Sequence, residues 1–159
     1  MKNKKQLISL KQFIEKSLYE KNEGYYMSKN PFGSKGDFIT SPNISIFFSE
    51  MIAIWIISFW KNLNEPKKIN IIDLGAGNGE MANILLKTFE SFPKFKDNLK
   101  IYIFEKSPFL KKIQKDKIKS KKVNWINNFN NIRNAPCIFL ANEFFDAFPV
   151  KQFFKKGGE

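Results

Sequence analysis

Histidine is absent from all 159 residues, and cysteine and arginine occur once each, as Cys137 and Arg133. Without an imidazole the chain has no proton shuttle that titrates near neutral pH, and His-based triads and the usual His/Cys zinc sites are excluded. A lone cysteine excludes an internal disulfide framework. Cys137 lies in the apolar run CIFLA, where a buried structural thiol is expected rather than a nucleophile, which needs an accessible, electropositive site. The scarcity of arginine decides how the formal charge of +12 is read. A basic surface attracts polyanions, but here every basic residue except Arg133 is a lysine, scattered among asparagine, isoleucine and phenylalanine. Bidentate phosphate or base recognition has little to build on, and nucleic acid is not an expected partner.

Long uninterrupted apolar runs are missing too. The amino-terminal MKNKKQLISL is broken at Ser9 and Lys11 and is too short for an export signal, so a cytoplasmic location is expected. Residues 44–60, ISIFFSEMIAIWIISFW, are interrupted by Ser45, Ser49, Glu50 and Ser58 and fall short of the ~20 residues that span a bilayer. A buried helix, without stable membrane insertion, is expected there.

What is present is a globular composition, 43% hydrophobic and 16% aromatic, in a chain long enough for one core. Ser9 and Gln12 form a capping-box pattern ahead of Leu10, Phe13, Ile14 and Leu18 at helical spacing, in a helix expected to end near Gly24. Residues 24–43 read as loop. Ser41 and Pro42 read as the cap and first position of the apolar helix. From residue 66 the pattern alternates: strands IIDL, IYIFE, VNWI and CIFLA, with helices GEMANILLKTFESF, stopped by Pro93, and SPFLKKIQKDKI between them. That rhythm implies right-handed crossovers and an α/β, Rossmann-like, doubly wound parallel sheet, covered on both faces, of order 3-2-1-4. Two parts are expected, a helical and lid segment at 1–65 and a Rossmann-like portion at 66–159. The CIFLA strand would stand at an edge without a neighbour, as in the N-terminal part of a longer protein.

The chemistry concentrates at IIDLGAGNGE, residues 71–80. A strand-to-helix turn with Gly75, Gly77 and Gly79 needs unusual backbone angles and lets a ligand approach the backbone, with Ala76 and Asn78 between the glycines. The spacing is G-x-G-x-G rather than the dinucleotide G-x-G-x-x-G. Asp73, two residues before the first glycine, would repel a pyrophosphate but suits a ligand with an ammonium and a sulfonium, as in S-adenosyl-L-methionine. Glu105, at the end of the second strand, is placed to accept from ribose hydroxyls. A nicotinamide-dependent dehydrogenase is the competing enzyme reading, and a binding or assembly module without turnover the competing non-enzyme one. ANEFFDAFPV follows the fourth strand and overhangs the carboxyl ends of the central strands, bringing Asn142, Glu143 and Asp146 to the reaction centre. There Glu143 and Asp146 could clamp a cationic nitrogen nucleophile such as a guanidinium. The competing role for Glu143 is a helix-capping acid. Upstream, Asp37, Phe38, Thr40 and Ser41 of GDFITSP are placed to form a lid over this cleft.

GYYM, GDFITSP, IIDLGAGNGE and NEFFDAFPV, in this order, resemble the MidA-like S-adenosylmethionine-dependent methyltransferases, relatives of a mitochondrial complex I assembly factor that methylates a protein arginine. The resemblance implies a class I methyltransferase fold and an arginine-containing protein substrate, possible among respiratory complex I subunits. It matches Asp73, Gly75, Gly77 and Glu105 to the cofactor pattern and Asn142, Glu143 and Asp146 to the substrate-side loop. It also implies that Asn127 and Asn128 reach the adenine. Two departures touch the substrate side: Asn43 stands where the family commonly has an acid, and Phe48 with Ser49 replaces the usual FG before Glu50.

Overall fold

The computed structural model describes residues 7–33 and 36–157. The amino-terminal run read as too short for an export signal begins in residues 1–6, outside the described residues. Four parallel strands form the sheet: β1 (Ile69–Leu74), β2 (Leu99–Phe104), β3 (Val123–Ile126) and β4 (Cys137–Leu140), in the order β3-β2-β1-β4. This is the order expected from the sequence. The registers Asp73↔Ile103 and Asp73↔Leu140 put Asp73 between two neighbouring strands, at the carboxyl end of the central one.

Seven helices accompany the sheet among the described residues. They are α1 (Leu10–Tyr19), α2 (Tyr25–Ser28), α3 (Ser41–Ile44), α4 (Ile46–Asn62), α5 (Glu80–Phe89), α6 (Pro93–Asn98) and α7 (Pro108–Lys117). The Ser9/Gln12 capping box opens α1 as its sequence demands, with the Gln12 amide nitrogen donating to Ser9 Oγ and Ser9 N–H donating to Gln12 Oε1. Ser107 likewise caps α7, accepting from Leu110 N–H at 3.2 Å.

The core lies between one face of the sheet and α4, α5 and α6. Ile69, Ile71, Ile101 and Ile103 from the strands meet Ala53, Ile56, Ile57 and Trp60 of α4, Met81, Leu85 and Phe89 of α5, and Phe95 of α6. Burying one such large side chain contributes about 2 kcal/mol, and the contacts are specific: Phe95 meets Phe89 at 4.8 Å and Trp60 edge-on at 5.3 Å. Because α4 is a layer of this core, the sheet's packing runs across residue 65, and the expected division there is one of sequence pattern more than of packing.

Five expectations change. Ser41 is not the cap of the apolar helix. Thr40 precedes the one-turn α3, Ser41 is its first residue, and an extended Ser45 separates it from α4. Helix α4 is buried on one face only, with Phe47, Met51, Trp55 and Phe59 exposed on the other. No helix among the described residues is long and apolar enough to cross a membrane. Among the described residues the sheet's second face carries only the small cluster of Ile72, Tyr102 and Ile126 with Leu74, Phe104 and Ile132, and Phe129 and Phe139 are exposed, so the cover expected on both faces is found on one among them. Cys137 is exposed at the start of β4 rather than buried, because β4 pairs with β1 alone among the described strands. Pro93, read as a stop, stands at the first turn of α6, where its missing N–H costs nothing.

Candidate active site

The turn after β1 takes the form its glycines require. Gly75, Gly77 and Gly79 have φ of +68°, +55° and +78°, left-handed values that side chains with a Cβ resist. At Gly75 a Cβ would also fall 2.6 Å from the Phe144 ring, so a larger residue there would have to displace that ring. The turn delivers the chain into α5 beneath a cleft lined by Phe32, Thr40, Pro42, Asn43, Asp73, Gly75, Ala76, Gly77, Asn78, Glu80, Met81, Asn142 and Glu143.

Asp73 sits at the base of this cleft, 1% exposed, and its Oδ2 is buried with no hydrogen-bond partner among the described residues. Burial, with the Glu105 charge adding to it, pushes its carboxyl up to about 7. An unpartnered buried carboxylate is costly, and a cationic ligand group would relieve it. Asn78, also on the cleft lining, is fixed by two bonds: its Oδ1 accepts from Glu80 N–H at 3.2 Å and its side-chain amide donates to Asn43 Oδ1 at 2.8 Å. Asn43 in turn donates to Thr40 Oγ1 at 2.8 Å. Asn43 is therefore the bridge between the glycine turn and the GDFITSP segment.

Glu105 does not line this cleft. It lies just past β2, 7% exposed, with Oε1 accepting from Ser107 N–H and Oε2 from the Gln114 amide, both at 2.9 Å. Burial raises its carboxyl above the ordinary value, and these bonds together with Lys111 oppose the shift. Tyr19 and Tyr26 lie close by. Tyr19 is pushed up to about 12 by burial first, then by Tyr26 and Glu105.

Glu143 lines the cleft from the loop after β4. Its φ of +50° is uncommon for a residue with a Cβ and marks a local constraint at the loop. It caps no helix: the short 3-10 turn Phe145–Ala147 has no side-chain cap, and the contact of Glu143 with the Asn142 amide is 3.5 Å long. Asp146 is exposed and lies beyond the cleft lining; Tyr26 is raised by burial first and by the Asp146 charge second. The two acids expected as a clamp are thus divided, with Glu143 in the cleft and Asp146 one turn further on.

Of the expected lid residues, Thr40 lines the cleft. Asp37 is turned to its own loop, taking hydrogen bonds from Tyr25 and Lys29 that hold its carboxyl below the ordinary value, Lys29 first. Phe38 packs edge-on against Tyr25 at 5.9 Å, and Ser41 lies inside α3. Asn127 and Asn128 occupy the exposed turn after β3, Asn127 accepting from Lys111 Nζ at 2.8 Å and Asn128 from Asn130 N–H at 3.1 Å. They are not brought to the cleft. Sequence reasoning missed Phe32, whose ring lies 3.5 Å from where a Gly77 Cβ would stand, and Phe144, which covers Gly75. The available signal was the run of aromatics on either side of the glycine motif.

A parallel sheet with a glycine-rich turn after its first strand and acids at two adjacent strand ends defines a Rossmann-like class I methyltransferase fold. A crystal structure from Burkholderia thailandensis bound to S-adenosyl-homocysteine shares this fold, with a TM-score of 0.70 at 22% identity over 89% of this chain and 38% of that one. The family model described as "Putative S-adenosyl-L-methionine-dependent methyltransferase" matches residues 51–159, and the chain belongs to that family. S-adenosyl-L-methionine is thereby indicated as the cofactor, and the dehydrogenase reading is set aside. Among curated relatives, the protein arginine methyltransferase NDUFAF7 homolog, mitochondrial, of Drosophila melanogaster is 31% identical over 90% of this chain. The protein arginine methyltransferase NDUFAF7, mitochondrial, of Xenopus laevis is 29% identical over the same share. The chain spans 38% of the length of each. Their names overturn the cytoplasmic expectation, since lack of an export-type run does not separate the cytoplasm from a mitochondrial compartment.

Proposed function

We propose that this chain forms the donor-binding portion of a methyltransferase acting on arginine side chains of a protein substrate. The observation that carries the reading is Asp73 Oδ2, buried and without a hydrogen-bond partner among the described residues, at a cleft whose lining also includes Glu143. Asp73 would take the cofactor's ammonium, the glycine turn would let the ligand lie against backbone, and Glu105 would accept from the ribose hydroxyls through its remaining lone pairs. When bound, the cofactor supplies an electrophilic methyl group on sulfur. Glu143 would hold a guanidinium in line with it and balance its charge. Asn142 and Thr40 shape the cleft wall, Asp37 and Phe38 hold the lid loop, and Asp146 with Tyr26 borders the entry. The relatives named as arginine methyltransferases support the choice of guanidinium, and a mitochondrial location follows the same names.

The decisive measurement is on Glu143→Gln in the full chain. S-adenosylhomocysteine affinity by calorimetry is expected to stay within about twofold of the parent. Methyl transfer to arginine-containing protein should fall by ~100-fold or more, the scale for loss of a transition-state electrostatic partner. Unchanged turnover would remove Glu143 from the chemistry, whereas a parent chain that binds S-adenosylhomocysteine but transfers no methyl group would favour a module that binds without catalysing.

A further inference from the structure

Helix α7 turns Leu110 and Gln114, four residues apart, into the protein, and Gln114 is 0% exposed. A completely buried amide needs partners, and Gln114 has three. Its Nε2 donates to Gly77 O and to Glu105 Oε2, each at 2.9 Å, and its Oε1 accepts from the Trp125 indole N–H at 3.0 Å. The orientation is fixed by this set, because the flipped amide would point oxygen at two acceptors and nitrogen at a donor. The start of α5 closes over the same side chain: a Cβ on Gly79 would lie 3.4 Å from Gln114 Cγ. One side chain thus ties together the glycine turn after β1, the acid after β2 and the indole of β3, without lining the cleft itself.

We propose that Gln114 is a positioning residue for the cofactor, holding the Gly77 carbonyl and the Glu105 carboxylate in one fixed relation so that Glu105 aims its free lone pairs at the ribose hydroxyls. The proposal rests on the reading of Glu105 as ribose acceptor. Gln114 touches no ligand; it prevents the glycine turn and the acid from shifting independently. Its loss would leave the Gly77 carbonyl, one Glu105 oxygen and the Trp125 N–H without their partner. It would also remove a donor that favours ionised Glu105.

The test compares S-adenosylhomocysteine with its 2′,3′-dideoxyribose analogue, by calorimetry on the full chain. The parent should prefer the natural ribose by roughly tenfold or more, as expected for hydrogen bonds to a charged acceptor. Glu105→Ala should bring the preference near one, and Gln114→Leu should reduce it to about threefold or less on the same scale. A general loosening of the fold would weaken both ligands alike and leave their ratio unmoved, so the ratio isolates positioning from stability. In turnover, Gln114→Leu should raise the KM for S-adenosyl-L-methionine more than it lowers kcat. Should Gln114→Leu fail to fold, Trp125→Phe removes the indole donor that orients the amide while keeping an aromatic ring at the core edge, and is expected to lower the ratio about twofold. A ratio kept at the parent value in the folded Gln114 or Trp125 variant, while Glu105→Ala abolishes it, overturns the role of Gln114 alone. A parent chain indifferent to the ribose hydroxyls overturns the reading of Glu105 and the proposal with it.

Discussion

Two buried acids stand at the carboxyl ends of adjacent strands, and their surroundings are opposite. Glu105 has a backbone N–H on one oxygen and a side-chain amide on the other, with Lys111 near enough to favour its charge. Asp73 is at least as deeply buried and has an oxygen without a partner among the described residues. The Glu105 end is finished by the protein itself, so its geometry exists before any ligand arrives. The Asp73 end is unfinished, and its charge becomes affordable only when a cation enters the cleft. On the proposed reading, one acid would supply orientation and the other affinity.

The contrast breaks most readily at Asp73. Asp73→Asn should cost S-adenosylhomocysteine about 3 kcal/mol, ~100-fold in affinity, because the ligand's ammonium would lose a buried counter-charge. The same variant without ligand should unfold at an equal or higher temperature, since a penalty is removed; a lowered midpoint would mean that Asp73 is already partnered. The next effect is on pH. The folded carboxyl sits near 7 against an ordinary 3.8, so between those values the folded state holds the extra proton. Stability of the ligand-free chain contributed by this group is therefore present at low pH and falls as pH rises toward 7. Binding of a cation runs the other way, weakening about tenfold from pH 8 to pH 6 as Asp73 takes up its proton, and Asp73→Asn should flatten that profile in calorimetric titrations. The smallest effect belongs to the finished end. Ser107→Ala removes the α7 cap and the 2.6 Å bond from Ser107 Oγ to Tyr26 O. A loss of about 1 kcal/mol is expected, read as a thermal midpoint lower by roughly 2–4 °C, while the Ser107 N–H to Glu105 persists and cofactor affinity changes little.

The sheet was legible because each strand is a short apolar run bounded by turns, and crossover handedness leaves few orders to choose among. Asp73 and the glycines were legible for a local reason, since their roles depend on a few consecutive residues. Gln114 was not. In sequence it is a polar residue in a lysine-rich helix, and its importance comes from a glycine 37 positions away and a tryptophan 11 positions away. Asn43 was noticed only as a departure, although it joins Asn78 to Thr40. Asn127 and Asn128 follow the right strand, but the turn there faces Lys111 and solvent. For the apolar helix, composition indicated burial, yet only the stripe from Ser49 through Ala53, Ile56, Ile57 and Trp60 finds the core. Hydrophobic content cannot say how many faces a helix will have covered.

Cys137, exposed at the head of β4 on the sheet's outer margin, is the sole thiol in the chain. This sequence thus carries a single thiol as a tag point, at the margin of the sheet that has no further partner among the described strands. A maleimide dye or spin label would attach at one place without any engineering, and the alkylation rate would report directly on whatever polypeptide comes to lie along that strand.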